Sequence, residues 1–468
     1  MVRTLSPFWR ANGYETEFGA KLIGSLEGPP AYTDCVLGSC FFRNGTRRYI
    51  DVGMHHEVAT GEVVTPEEVM YHVEASYLLA RRYLPQRGAQ RVVQRLYANN
   101  TSLSTQLSTY GVYTWSRHRN YQIPRDTDLY PLYDFLTSFM VSGILVFGSG
   151  YMLHGGGFLL SPRAHHITAL YGGQTTCDRP LHNTRDEPHS TTSRRLHSTS
   201  LGNAQILPFM TAVDAAAMLG VLAVFETRRG EPPVLFDALK SMNALNADPG
   251  RLLSTDRGPM SAVDLQRWYF DRVYELVVEA GDEAVHLLPG VIRWGNILDG
   301  FARSLDPMDH RGVTDWTTKL AYQRVWMDRH PRPNDTDERR AWQTGLDSIE
   351  ASMHEVTSET DSPSLRDRFI AKWSPLDADK LRAATEYGSP HTRARVRGWV
   401  QWFMETAYGK HEGLDWSAVT LRRPNTVGKY ESFTGRVTLQ DPLDPNPPDK
   451  LLEIVAATRP NFPLLEIL

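Results

Sequence analysis

The chain has little cysteine. Cys35, Cys40 and Cys177 are the only three in 468 residues, too few for a disulfide framework and without zinc-site partners at the usual spacing. Free thiols in a reducing cytoplasm are the expected state, although Cys35 and Cys40 could meet across a hairpin. An excess of one charge is also missing. The formal net charge is -4, from 50 Lys and Arg against 54 Asp and Glu, which leaves no electrostatic footprint for nucleic acid. The first residues, Met-Val-Arg-Thr-Leu-Ser-Pro, hold no apolar run, so no signal peptide is expected. The apolar stretch from Tyr130 to Phe147 contains Pro131, Asp134, Ser138 and Gly143 and is short for a membrane span. It reads as a buried helix of a large core, in a soluble protein with no membrane partner. Internal repeats, a P-loop, a G-x-G-x-x-G after a strand and a G-x-S-x-G elbow are all absent.

What is present is a polar N-terminal half patterned as strands. Tyr14, Thr16 and Phe18 alternate with Glu15 and Glu17, which predicts a strand with two carboxylates on one face. Residues 37–51 read as a hairpin turning at Asn44-Gly45. Thr65-Pro66-Glu67-Glu68 predicts a helix start, with Thr65 as cap and Glu68 closing the box, running to about Tyr83. Strands follow at 92–97 and 113–123, and a polar segment spans 179–203. From Phe209 the pattern turns helical, at 211–227, 262–280, 316–330, 338–355, 364–372 and 392–408. Residues 377–389 read as a surface connection. Strands return from about Asp415, followed by a Pro-rich linker and a short helix.

The richest stretch is 47–60, Arg-Arg-Tyr-Ile-Asp-Val-Gly-Met-His-His-Glu-Val-Ala-Thr. On a continuous strand Asp51 and Glu57 would share a face. Two carboxylates beside the Arg47 guanidinium suit a metal–phosphate site, and equally a solvated sheet edge. With Glu15 and Glu17, Glu57 could supply the hard oxygen ligands that Mg²⁺ takes when it also holds nucleotide phosphates. His118 could add a nitrogen ligand, or be an ordinary core or surface histidine. Arg185, Arg194 and Arg195 could grip phosphate or carboxylate with guanidinium forks, or be solvated. Trp416 could stack on a base, or sit in a core. His55-His56 lacks the spacing of a helical zinc pair.

The order of these motifs resembles the Pup ligase and depupylase family, glutamine-synthetase-like carboxylate–amine ligases. The resemblance is carried by 13–19 (Gly-Tyr-Glu-Thr-Glu-Phe-Gly), 42–53 in the ligase wording, and 56–60. It continues through 99–101, 110–111, 118–121, 183–189, 194–197, 392–398 and Asp415-Trp416. It implies an α+β fold: a curved antiparallel sheet cradle packed against helices, a catalytic domain over 1–410, and a small C-terminal domain over 411–468 that contributes to the nucleotide site. It implies Mg²⁺ at Glu15, Tyr49 and Glu57, with Glu17 in the same cluster, ATP contacts from Arg47, Thr60 and Trp416, and Asp51 as catalytic base. To these the reading of the residues adds Arg185 and Arg195 as candidate phosphate contacts and His118 as a candidate metal ligand.

The chemistry implied is that ATP phosphorylates a carboxylate and an amine attacks the acyl phosphate. The donor in that family is the side chain of Pup's C-terminal glutamate and the acceptor a lysine, whose ammonium must lose a proton as it attacks. Two departures bear on substrate choice. The family usually has glutamate where this chain has Arg119, and an apolar strand with Gly-Asp where it has 198–203, Ser-Thr-Ser-Leu-Gly-Asn. Alternatives are a ligase for a peptide or small-molecule carboxylate, a depupylase or deamidase, and an inactive nucleotide-binding homologue. The ligase wording at 51–53 and the missing loop before Phe42 argue against the depupylase. A monomer in the cytoplasm is expected.

Overall fold

Tyr14, Thr16 and Phe18 alternate with Glu15 and Glu17 in β1 (Asn12–Gly24), whose 13 residues are enough to serve three neighbours. The computed structural model describes residues 6–24, 39–51, 56–82, 91–101, 114–115, 117–153, 157–175, 178–185, 194–199, 201–357, 361–408, 413–424, 430–459 and 461–463. The strands that follow β1 are β2 (Cys40–Phe41), β3 (Arg47–Ile50), β4 (His56–Ala59), β5 (Arg91–Tyr97), β6 (Arg117–Pro124), β7 (Tyr151–Met152), β8 (Phe158–Leu159), β9 (Ala169–Gly172), β10 (Pro180–Asn183) and β11 (Arg194–Thr199). Later come β12 (Leu253–Thr255), β13 (Gly258–Met260), β14 (Glu355–Val356), β15 (Ala418–Pro424) and β16 (Tyr430–Thr438). The main sheet runs β2-β3-β4-β1-β6-β11-β10-β9, with β5 on the second half of β1 and β14 on β5. Its pairs are antiparallel except β9 with β10, which is parallel.

The helices are α1 (Pro66–Arg82), α2 (Leu129–Phe147), α3 (Pro208–Glu226), α4 (Ala238–Ala247), α5 (Ala262–Ala280), α6 (Leu288–Arg303), α7 (Asp315–Arg329), α8 (Thr336–His354), α9 (Leu365–Trp373), α10 (Ala378–Glu386), α11 (Arg393–Tyr408) and α12 (Asp449–Thr458). The sequence-predicted capping box is formed: Glu68 N–H donates to Thr65 Oγ1 at 3.2 Å, and Thr65 N–H to Glu68 Oε2 at 3.0 Å. The two most apolar helices, α2 and α3, are long enough to cross a membrane, and both are packed in the core with α5 and α6. A smaller cluster, including Tyr14, Phe18, Val58, Val73 and Tyr77, joins the back of the sheet to α1. A third gathers α11, β15, β16 and α12 around Trp399, Phe403 and Val437. The α+β class, a sheet backed by helices with a C-terminal strand pair, is the one expected.

Two expectations change. Residues 47–60 are not one strand but two, β3 and β4, paired antiparallel with Tyr49 opposite Glu57; residues 52–55 between them lie outside the described set. The turn at Asn44-Gly45 closes as expected, Gly45 taking φ 76° where an L side chain would be strained. Residues 377–389 are not a plain connection but carry α10, capped by Asp377, which accepts from the N–H groups of Asp379 and Lys380. Cys40 is buried, while Cys35 and Cys177 lie outside the described residues.

Candidate active site

Directly opposed residues in an antiparallel ladder share a face, and successive residues alternate. Glu17 opposes Glu57, which opposes Tyr49; Glu15 opposes Ala59 on one side and His118 on the other. The register therefore puts Arg47, Tyr49, Glu57, Glu17, Glu15, His118 and Asn120 on one face. The intervening residues Arg48, Val58, Thr16, Arg117, Arg119 and Tyr121 belong to the face that meets the helices.

On the first face the side chains converge. Ligand atoms of Glu15, Glu57 and His118 lie within 4.8 Å of one another. His118 Nδ1 is 3.3 Å from Glu15 Oε2, and Asn120 Nδ2 donates to Glu15 Oε1 at 3.1 Å. Burial pushes Glu57 well up from the usual carboxylate range, and the charges of Glu15, Glu17 and Asp51 push it further. Burial and the charges of Glu15 and Glu57 likewise push up the Tyr49 phenol. For Glu15 the sign reverses: burial raises it, but the His118 and Asn120 contacts and the charge of Arg185 leave it below its ordinary value. Burial lowers His118, but Glu15 and Glu17 more than offset this and its pKa is raised. Acceptors crowded until burial and neighbouring charge disfavour the ionised form of one carboxyl make a donor set that fits a hard divalent cation.

Beside the cluster a pocket is lined by Gly13, Glu15, Thr60, Glu62, Arg393 and Trp416, among others. Thr60 is fixed there, its Oγ1 accepting from Tyr14 N–H at 3.0 Å. Arg47 donates from Nε to Ser39 Oγ at 2.9 Å, its guanidinium 5.5 Å from the ring centres of Phe41 and Tyr49. Asp51 stands at the end of β3, close enough to raise both Glu57 and Tyr49. Arg185 is exposed, and its charge reaches Glu15. Arg195 is not brought to the cluster: it opposes Ile123 in register, and its charge reaches Tyr133 on α2.

Arg119 corrects a sequence expectation. It does not reverse a charge at the site but points into the core, where its guanidinium pairs with Asp214 of α3 and donates from Nε to Thr199 Oγ1 at 3.2 Å. The other departure is different, since Ser198 opposes Asn120 in register. Residues missed in the sequence include Asn120, the buried Arg163, and the cluster of Glu62, Arg393 and Arg397. Arg163 lies within electrostatic reach of Glu17 and His118; burial brings it down to about 10. Nothing in its local sequence marks it, whereas Arg393 and Arg397 were visible as an i,i+4 pair.

The sheet cradle with its hard-ligand cluster fits the class expected above, the carboxylate–amine ligases. The family model described as Pup-ligase protein matches residues 10–420, and the chain belongs to that family. The Pup–protein ligase of Micrococcus luteus is 27% identical over 449 residues, spanning 87% of this chain and 90% of its own. That of Paenarthrobacter aurescens is 27% identical over 446 residues, 88% and 93% of the two chains. The Pup ligase PafA in complex with the prokaryotic ubiquitin-like protein Pup shares the fold, with a TM-score of 0.78 at 21% identity over 99% of this chain and 95% of that one. PafA in complex with ADP gives 0.74 at 21% identity, over 92% and 91%.

Proposed function

We propose that this chain is an ATP-dependent ligase of the cytoplasm that joins the side-chain carboxylate of Pup's C-terminal glutamate to a protein lysine. Family membership over 10–420 supports the reaction class. The observation that carries the assignment to a site is the convergence of Glu15, Glu57 and His118 on one sheet face, beside the pocket of Thr60 and Trp416. Glu15, Glu17, Tyr49, Glu57 and His118 would hold Mg²⁺, which when bound neutralises charge on the transferring phosphoryl group. Arg47, Thr60 and Trp416 would contact ATP, the last from a C-terminal unit over 411–468, with Arg185 reaching the phosphate side. Arg195 remains a candidate for the same role only through movement of β11.

Asp51 would take the proton from the attacking lysine ammonium, so that the amine's electron pair is free to form the amide as phosphate leaves. Its place at the end of β3 suits this, beside the cluster rather than within the ladder. The test is to incubate the protein with Mg-ATP, Pup ending in glutamate, and a lysine-rich acceptor, following both ADP and conjugate. Asp51→Asn is expected to lower conjugation by about 10²–10⁴-fold, the usual weight of a general base, while ADP still binds. Conjugation at the parent rate in Asp51→Asn would refute the role. ADP formed only with some other carboxylate would favour a small-molecule donor, the course for which Ser198 beside Asn120 is the structural motive.

A further inference from the structure

The pocket wall made by Trp416 is contributed from outside the main sheet, so something must fix it. Trp416 lies just before β15, in a segment whose core is α11, β16 and α12. Its ring meets Phe41 edge-on with centroids 5.1 Å apart. The guanidinium of Arg397, on α11, sits 5.0 Å from the ring centre and donates from Nη1 to the Trp416 carbonyl at 2.8 Å. The same side chain ion-pairs with Glu62 and lies 5.5 Å from the Phe41 ring. One turn earlier, Arg393 donates from Nε to Glu62 Oε1 at 2.8 Å and from Nη1 to the Leu439 carbonyl at 2.8 Å. Glu62 follows Thr60 on the sheet side of the pocket. Two buried guanidinium groups thus share one carboxylate, and each also holds a C-terminal backbone carbonyl.

We propose that Arg397 is a positioning residue for the nucleotide: through Glu62 and Trp416 it fixes the aromatic wall of the pocket before ligand arrives. This rests on the nucleotide reading of the pocket. Preorganisation removes the cost of ordering the wall on binding. A lysine could supply the charge, but neither the planar stack nor the two-sided fork that reaches carboxylate and carbonyl together.

The test is a cycle of Arg397→Lys, Trp416→Ala and the double variant, with Kd for ADP by calorimetry and KM and kcat for ATP. Arg397→Lys is expected to raise Kd and KM roughly tenfold, about the cost of ordering one large side chain, with little change in kcat. The double variant should bind no worse than Trp416→Ala alone, since both changes remove the same wall. Multiplying effects, or a fall in kcat at unchanged KM, would overturn the proposal. Should Arg397→Lys fail to fold, Phe41→Leu loosens the same ring from the other side and should raise Kd in its place; an unchanged Kd there counts against it. Unaltered ADP binding by Trp416→Ala overturns this proposal alone. Absence of ADP binding by the parent chain overturns the nucleotide reading and this proposal with it.

Discussion

Reversing the charge at position 119, to the glutamate usual in the family, is expected to unfold the protein before it alters substrate choice. The reason is depth. The Arg119 and Asp214 side chains are 7% and 2% exposed, so neither ion can recover its hydration when the other is lost. An exposed pair of this kind would contribute about 0–1 kcal/mol, whereas removing one member of a buried pair costs about 3–5 kcal/mol, because the survivor is left charged and unpaired. Arg119→Glu is worse than a deletion, since it faces one carboxylate with another. Tyr14 and Tyr121, bonded to each other through their hydroxyls at 2.9 Å, lie within reach of the same charges: Asp214 raises both phenols and Arg119 lowers both, after the larger effect of burial. The assay is thermal and urea unfolding of Arg119→Glu, Asp214→Arg and the exchanged double variant, with ligase activity measured where each is folded. The singles should be severely destabilised, and the exchanged pair should recover a large part of the loss without any change in donor preference. A singly reversed Arg119→Glu that is as stable as the parent yet selects a different carboxylate would refute the reasoning and return Arg119 to the site.

Two further outcomes follow from burial elsewhere. His72 is buried and brought down to about 4 from 6.5, so the folded state resists its protonation. Its contribution is present above the unfolded pKa of about 6.5, and is lost as pH falls towards the folded value, by about 3 kcal/mol in all. Glu62 is held at about 2, since Arg397 and Arg393 outweigh the effect of burial; its contribution is present above the unfolded value of 4.5 and is lost below that, towards pH 2. Acid unfolding followed by circular dichroism should therefore steepen below pH 6.5, and His72→Phe should lessen the upper part only, since His166 is likewise brought down to about 4; a parent-like profile in that variant would count against the assignment. Gly398→Ala is expected to be severely destabilising, because a Cβ there would stand 1.7 Å from the Arg43 carbonyl oxygen, and a normal melting temperature would show that α11 does not press on Arg43.

How much of this was legible in the sequence depends on which period carried the information. Helix α5 spans Ala262–Ala280 as expected, and the structure adds a capping box at Ser261 and Asp264; α1 starts as expected because its own capping box is local chemistry. Helix α6 was missed although it is largely buried on one side. Pro289, Gly290, Gly295 and Gly300 read as helix breakers although the apolar period runs through them, and the reason two of them are there is tertiary: a Cβ on Gly290 would lie 2.5 Å from Ala216 Cβ, and one on Gly295 2.5 Å from the Phe270 ring. Glycines that admit a neighbouring helix look, in sequence, like punctuation. Helix α10 was missed for another reason, since it has only 9 residues and only Ala384 of it is buried.

In the site the period of two was decisive, and it was applied unevenly. It correctly grouped Glu15 with Glu17. Applied to β6, the same alternation puts Arg119 on the opposite face from His118 and Asn120, so a charge that differs from the family's there concerns the core and not the substrate. It also sets Arg195 against Ile123, while Ser198 pairs in register with Asn120 and Asn183. What no period could supply is the pairing of distant segments, Glu62 with Arg393 and Arg397 some 330 residues on. That junction explains why the C-terminal strands matter to a sheet they do not join. One face of the sheet gathers the groups that would meet metal and phosphate. The opposite face commits its arginines to buried partners, Arg117 to Gln205, Thr211 and Tyr77, and Arg119 to Asp214. Substrate choice is therefore to be sought on the first face, where Ser198 opposes Asn120 in register.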